Sequence, residues 1–543
     1  MFGQLLALEM VHTAVAEAIR LGATFADARF EVSQREDVAV EDMRLLVATL
    51  KAERGLGLRV LVNGAWGFAS LSQPTRHEAV VLARRAVEVG RAASMLQKRP
   101  VTLVPEEPRS ALYRTPMERD PLGVPLEEKV GLLQQINARM RRNPLIKMTR
   151  GRFAASRTKK LYVSSEGAEI DQDLTWTSIG YEAGASDGHD FQIRSFPSSH
   201  GGAVAGRGYE LVTRLPLLEK AEEVAEEAVA QLKADPCPAD TTALILGSTQ
   251  LALQLHESIG HPSELDRVLG FERSFAGTSF LTPDRLGSLE LGSSKVNVYA
   301  DAQLEGGVGT FGFDDEGVEA QRVELVVGGK LTGYLSSRDT AHRVGLQRSS
   351  GSMRGASWSS IPLVRMTNVC MAPGDAGGIE DLIADTKSGV FVDSNRSWSI
   401  DDRREHFQFG CEVAWEIKNG KRTRRLKNPV YSGVTPRFWS GCDAVCGPAE
   451  WEVIGVMSCG KGEPLQLLPV GHACAPARFL EVALGSTRFE APVIDSRDAL
   501  PRLSHPEVES PSRIRARRAT NPPKRHKKRH LGAKATRAKG RAR

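Results

Sequence analysis

The stretch LALQLHESIGHPSELDRVLGFERSFAGTSFL, residues 251–281, decides how this chain is read. It contains the pattern HExxxH, formed by His256, Glu257 and His261. Two imidazoles beside a carboxylate are what a hydrolytic metal site needs, neutral nitrogen donors for the ion and a base next to them. The spacing is one residue longer than the commoner HExxH. On a regular α-helix, positions five apart lie about 140° around the axis, whereas positions four apart lie about 40° apart. The two histidines therefore cannot face one ion from an undistorted helix. Gly260 weakens the helix and Pro262 drives His261 away from the α region, so the helix is predicted to end or widen there.

The residues around the motif give it a rigid seat. TTALILG (241–247) reads as a buried strand and Ser248 as a helix N-cap, and Leu251, Leu255 and Ile259 recur at i, i+4, i+8 on one helical face. Downstream the chain becomes β-rich: KVNVYADA, VELVVGGKLTGYLSS and VAWEIKNGKRTRRLKNPVYSG read as strands joined by Gly-Gly and Asn-Gly turns. Between them run loops rich in Gly, Ser, Asp and Arg, GTFGFDDEG (309–317) and QRSSGSMRGASWSS (347–360), of the kind that line active sites.

Upstream, residues 1–20 read as an amphipathic helix, followed by a strand after Gly22. Leu58, Val60 and Val62 share one face at period two and run into Asn63-Gly64, a strong hairpin signal. Helices are predicted at about 77–94, 126–142 and 217–234, a Pro-rich connector near 100–121, and antiparallel strands around the Glu166-Gly167 turn. DPCPAD (235–240) is the natural linker. The predicted class is α+β, with an N-terminal α/β half of helices on a sheet (1–235, subsegments about 1–105 and 106–235). A β-rich C-terminal domain with the metal-binding helix (236–495) and a basic tail (496–543) follow.

At 543 residues and 41% hydrophobic, the chain is long enough for several cores. No run of about 18 apolar residues occurs, so no membrane span is expected. The first twenty residues lack a basic stretch ahead of their apolar ones and carry Glu9 and Glu17, unlike a signal peptide. Seven cysteines, an odd number without a repeating framework, fit a reducing cytoplasm. The net charge of +6 is unevenly placed, since residues 512–543 hold fourteen Lys and Arg and no Asp or Glu. That tail is predicted to be disordered and able to contact nucleic-acid phosphates, though it has no aromatic side chains to stack on bases.

Several blocks in order, GATFADARF, GLGLRVLVNGAWGFAS, HESIGHPSELDRVLGFERSFAGTSFL, GTFGFDDEGVEAQ, PLVRMTNVCMAPG and VMSCGKGEPLQLLPVG, resemble the TldD/PmbA family of peptidases on its metal-bearing TldD side. The resemblance covers nearly everything up to about residue 490. It implies a zinc metallopeptidase with His256, His261 and Cys459 of SCGKG as ligands and Glu257 as the base that activates a zinc-bound water. Without the resemblance, Cys370, Cys442 and Cys446 compete with Cys459 for the third position. A thiolate in a glycine-flanked turn beside Lys461 suits a soft metal, and three protein ligands leave a fourth position open. Arg365, Asn368 and a Gly-rich loop are candidates for stabilising an oxyanion. Glu264 is a candidate partner for a ligating histidine, against the ordinary expectation of an exposed Glu.

The substrates implied are unfolded or modified peptides, handled by a homodimer or by a heterodimer with a paralogous subunit. The alternative is a non-catalytic partner subunit or scaffold of such a dimer. Metal-free partners of this family lack HExxxH, and its presence here favours the enzyme.

Overall fold

A computed structural model describes residues 2–199, 201–274 and 277–487. The basic tail, with its expected disorder and nucleic-acid contact, lies outside the described residues.

The N-terminal half is built on one long, mostly antiparallel sheet. α1 (Phe2–Arg20) leads into β1 (Phe25–Glu41), β2 (Arg44–Val62) and β3 (Ala65–Ser72). Asn63 and Gly64 both have positive φ, 49° and 74°, and Val62 pairs with Ala65, so the hairpin closes with the predicted two-residue turn. α2 (Arg76–Ser94) begins with a capping box between Thr75 and Glu78. The Pro-rich connector contains a strand the sequence did not signal, β4 (Ser110–Arg114), which pairs parallel with β6. After α3 (Leu126–Met140) come β5 (Ile146–Ser164), β6 (Glu169–Ser186), β7 (Phe191–Phe196), β8 (Ala203–Ala205) and α4 (Leu217–Leu232). The strand order is β3-β2-β1-β5-β6-β4, with β7 and β8 also on β6.

The two faces of this sheet are chemically opposite. On one, Ala26, Ala28, Leu58, Val60 and Val62 form a core with α1 and α2. Further along the same face, Val38, Val40, Phe153 and Ala155 pack under α3 and α4. On the other, Asp27, Arg29, Glu31, Arg59 and Lys160 are buried ions. They meet Asp315 and Glu316 of the GTFGFDDEG loop: Arg29 Nη1 and Lys160 Nζ lie 3.1 and 2.6 Å from Asp315, and Arg59 Nη1 3.0 Å from Glu316. Period-two alternation thus sends apolar residues to the helices and charged ones to the C-terminal half.

The C-terminal half is built on two large sheets and a two-stranded one, Met353–Arg354 with Leu363–Val364. Asp240–Leu246, Ser388–Ile400, His406–Lys418, Pro429–Val434 and Ala477–Ser486 pair in a closed ring. A six-stranded sheet runs Lys330–Leu331, Arg322–Val327, Val298–Asp301, Asn368–Met371, Gln466–Cys474, Glu452–Lys461. The helix α5 (Ser248–Leu255) packs against strands of both sheets, and Leu251, Leu255 and Ile259 are completely buried in the shared core. Its N-cap is Gly247, and Ser248 is its first helical residue, one position off the predicted cap.

Candidate metal centre

The helix does not stop at the motif; it widens. His256–Gly260 forms a π turn after α5, and the His261 N–H donates to the His256 carbonyl, five residues back. The wider turn carries His261 round to the side of His256, which resolves the angular conflict of the HExxxH spacing. The two rings meet edge-on with centroids 4.7 Å apart. Gly260 serves this turn differently from expected. Its φ of −59° is ordinary helix, but a Cβ there would sit 2.2 Å from Met366 Sδ. A side chain at this position would have to displace the buried Met366.

The third group arrives from the far end of the chain. Cys459 lies in the strand Glu452–Lys461, paired with Leu468, at a register shift that interrupts the ladder between Val456 and Cys459. It is therefore a paired strand residue flanking a bulge and not the turn residue the sequence suggested. Bulges re-aim side chains, and this one turns the thiol to the motif. Donor atoms of His256, His261 and Cys459 all lie within 4.8 Å of one another, and Cys459 Sγ is 3.5 Å from His261 Nε2. Among the described residues this is the one such His/Cys/Asp/Glu group. Cys370, Cys442 and Cys446 stay outside it. Burial drives their thiols upward, Cys442 to about 12 and Cys446 to about 11. Cys459 moves the other way: burial pushes it up, but His261 and the Arg365 guanidinium pull it below the ordinary thiol range.

The hydrogen-bond network fixes which imidazole nitrogen faces the cluster. His472 Nδ1 donates to the Val369 carbonyl at 3.1 Å, leaving Nε2 as an acceptor. His256 Nδ1 lies 2.9 Å from that Nε2 and so carries the proton, which frees His256 Nε2. His261 Nδ1 lies 3.0 Å from Glu264 Oε2 and donates to it, which frees His261 Nε2. Burial holds His256 below the usual imidazole range and His472 well below it, so both are neutral. Glu264 is not exposed; it is fully buried, with Lys461 Nζ 3.2 Å and Arg267 Nε 3.4 Å away. Burial opposes its charge, but Lys461, His261 and Arg267 outweigh burial and keep it a carboxylate. Lys461 therefore acts on Glu264 and Asp266, at 2.6 Å, and not on the thiol beside it in sequence.

Glu257 is buried on the same π turn, with Oε2 2.7 Å from Arg404 Nη1. Burial raises its pKa, yet His256, His261 and Arg404 together bring it below the ordinary carboxylate value, so it is ionised. Arg404 sits in a tight turn with positive φ, 63°, pinned by Thr435 Oγ1 donating to its carbonyl. Of the three oxyanion candidates, the two side chains make other hydrogen bonds. Asn368 is saturated by Asp301 O, Thr310 Oγ1 and Gly309 N, and Arg365 donates to the carbonyls of Cys459 and Gln466. His472 and Arg404 went unseen in the sequence. The first is a single histidine in an apolar strand, and the second sits in DDRREH, which reads as solvated surface.

The donor set fits a zinc ion. Two imidazoles whose Nδ1 atoms are engaged elsewhere and one thiol biased to thiolate form the three-ligand arrangement that leaves one position open. A cleft of about 270 Å³ runs between the charged face of the first sheet and the loops 309–317 and 347–360, reaching Leu467, Leu468 and Pro469 beside the Cys459 strand.

Most of the chain has relatives. Residues 26–90, 119–234 and 239–483 match the first, central and C-terminal domains of the PmbA/TldA metallopeptidases. A metalloprotease of Methanocaldococcus jannaschii is 29% identical over 447 residues, 82% of this chain and 94% of that protein. A zinc metalloprotease TldD homolog of Saccharolobus solfataricus is 24% identical over 78% of this chain and 88% of its own length. TldE of Thermococcus kodakarensis shares the fold with a TM-score of 0.65 at 14% identity, covering 88% of this chain and 100% of its own. A candidate DNA gyrase modulator of Thermotoga maritima gives 0.69 at 16%, covering 88% and 99%. With family domains matched along most of its length, the chain belongs to the PmbA/TldD metallopeptidase family.

Proposed function

We propose that this chain is a zinc-dependent peptidase that hydrolyses peptide bonds in unfolded or modified peptides. The observation that carries the reading is the convergence of His256, His261 and Cys459 within 4.8 Å, with both imidazoles held by their Nδ1 atoms so that Nε2 is free. In this reading His256, His261 and Cys459 hold the zinc, which supplies Lewis acidity toward a water and the peptide carbonyl. Glu257 is the general base. It takes a proton as water oxygen bonds to the carbonyl carbon, and it gives that proton to the amine as the C–N bond breaks. Arg404 keeps Glu257 ionised and oriented, and the buried position of the site favours chains that can enter extended.

The same reading puts the protein in the cytoplasm, consistent with seven free cysteines, all buried. No helix among the described residues is long and apolar enough to cross a membrane. It divides the chain at 235–240 and gives it a second subunit, another copy or a TldE-like paralogue.

The test is elemental analysis of purified wild type and Cys459→Ala, each assayed on an unfolded peptide library. About one zinc per chain and chelator-sensitive cleavage, both lost with Cys459, are expected. Wild type that neither holds zinc nor cleaves after metal is supplied would turn the assignment to the non-catalytic subunit.

A further inference from the structure

Several buried or half-buried cations among the described residues pair with carboxylates: Arg29 and Lys160 with Asp315, Arg59 with Asp27 and Glu316, Lys461 with Asp266, Arg404 with Glu257. Two guanidiniums beside Cys459 break the pattern. Arg365 is fully buried; its Nη atoms donate to Gln466 O at 3.2 Å and Cys459 O at 2.5 Å, and its Nε has no partner. Arg354 donates to Met366 O at 2.8 Å and Pro469 O at 3.0 Å. Among the described residues neither has a carboxylate within ion-pair distance. They also repel one another, and burial together with Arg365 lowers Arg354 to about 10. The anions that act on Arg354 are Asp315, already engaged by Arg29 and Lys160, and Cys459.

Arg365 is buried and Arg354 half-buried at the cleft, and apart from the Cys459 thiol, which Arg365 biases toward thiolate, neither is paired with an anion among the described residues, so an anion entering the cleft completes the site. Arg354 lines the cleft, beside Phe311, whose ring centroid is 5.9 Å from its guanidinium carbon. A guanidinium carries five N–H groups in a planar fork that suits a carboxylate, and two of its nitrogens here are committed only to neutral carbonyls.

We propose that Arg354, backed by Arg365, is a carboxylate-binding subsite where the cleft meets the Cys459 strand, and that it receives a carboxylate of an incoming peptide. This rests on the peptidase reading and narrows its substrate class to peptides bearing a free C-terminal carboxylate or an acidic side chain close to the cleaved bond.

The experiment uses full-length, zinc-loaded protein carrying Glu257→Gln, so that binding is read without turnover. Calorimetry compares a neutral pentapeptide with a free carboxylate, its C-terminal amide, and an amide containing one Glu. The free acid is expected to bind at least tenfold tighter than the neutral amide. The Glu-bearing amide separates the two carboxylate sources: recovery of tight binding assigns the side chain, and none assigns the C-terminus. Adding Arg354→Gln should bring all three peptides to one affinity with zinc content unchanged. Equal binding of all three by the unaltered Arg354 protein, or a preserved acid preference in Arg354→Gln, would overturn the proposal. Should Arg354→Gln fail to fold, the acid-to-amide ratio with Arg354 intact decides alone. Arg354-dependent binding by a wild type that cleaves nothing would remove the peptidase and leave the subsite. Cleavage with no preference for acids would do the reverse.

Discussion

His472 Nε2 stands 2.9 Å from His256 Nδ1, and this one contact determines which nitrogen of His256 faces the other two donors. His472 is itself oriented by the Val369 carbonyl, so the lock is a two-step chain from backbone to imidazole to imidazole. Replacing His472 by Ala leaves His256 free to adopt the wrong tautomer or to rotate. Zinc affinity, measured by competition with a chelator, is expected to fall by about 10- to 100-fold, while Cys459 and His261 keep residual binding. An unchanged affinity would mean that His472 is simply core.

Glu257 and Arg404 make separable predictions. Glu257→Gln keeps the size and the metal donors and removes the proton acceptor, so zinc content stays and turnover falls by about 10²- to 10⁴-fold. Arg404→Gln leaves the acceptor in place but removes a cation that holds the Glu257 pKa down. The sign follows: without Arg404 the carboxylate protonates at higher pH, and the acid limb of the kcat/KM profile moves upward. A variant with a lower plateau and an unmoved limb would show Arg404 shaping the loop and nothing more.

That the helix ends or widens at the motif was legible because HExxxH poses a geometric problem with few solutions, although His261 keeps α-region backbone despite Pro262, and the Asn63-Gly64 hairpin was legible because its turn needs positive φ twice. What could not be read was where distant segments meet. His256 and His472 are 216 residues apart, and nothing local in LLPVGHAC distinguishes a tautomer lock from a core histidine. Glu264 and Arg404 carry charges that usually mark surface, and only the tertiary structure buries the first and half-buries the second beside partners. The five-residue β4 strand, whose pattern of exposed Ser110, Leu112 and Arg114 lacks a buried face, is held by pairing with β6 and not by its own sequence.

At the glycines of β2 the C-terminal half packs directly on the first sheet. A Cβ on Gly57 would lie 2.2 Å from the Trp358 carbonyl oxygen, a backbone atom that cannot step aside alone. Gly57→Ala is therefore expected to displace the loop 355–360, weaken the Arg29 Nη2 bond to Ser360 O and destabilise the fold by about 1–3 kcal/mol. Urea unfolding midpoints of the variant and wild type test this, and equal midpoints would show that the loop yields freely.

Asp315 gives a pH dependence with a defined window. Burial opposes its ionisation, but Lys160 and Arg29 pull its folded pKa down to about 2, against about 3.9 for a free Asp. A carboxylate with a depressed folded pKa contributes stability that is complete above the unfolded value and is lost as pH falls toward the folded one. Asp314 and Glu316 shift upward, chiefly through burial, so their contribution runs in the opposite sense and the total acid response is muted. The comparison that isolates Asp315 is with Asp315→Asn. That variant leaves Arg29 and Lys160 buried with less counter-charge, although Glu31 remains 3.4 Å from each. At neutral pH it should be less stable by about 3–5 kcal/mol, the usual loss on breaking a buried pair from one side. The deficit should hold down to about pH 4 and shrink steadily toward pH 2, as wild type loses the ionised carboxylate that the variant never had. A gap that stays constant across that window would mean the interaction is carried by shape and hydrogen bonding, not by the charge of Asp315.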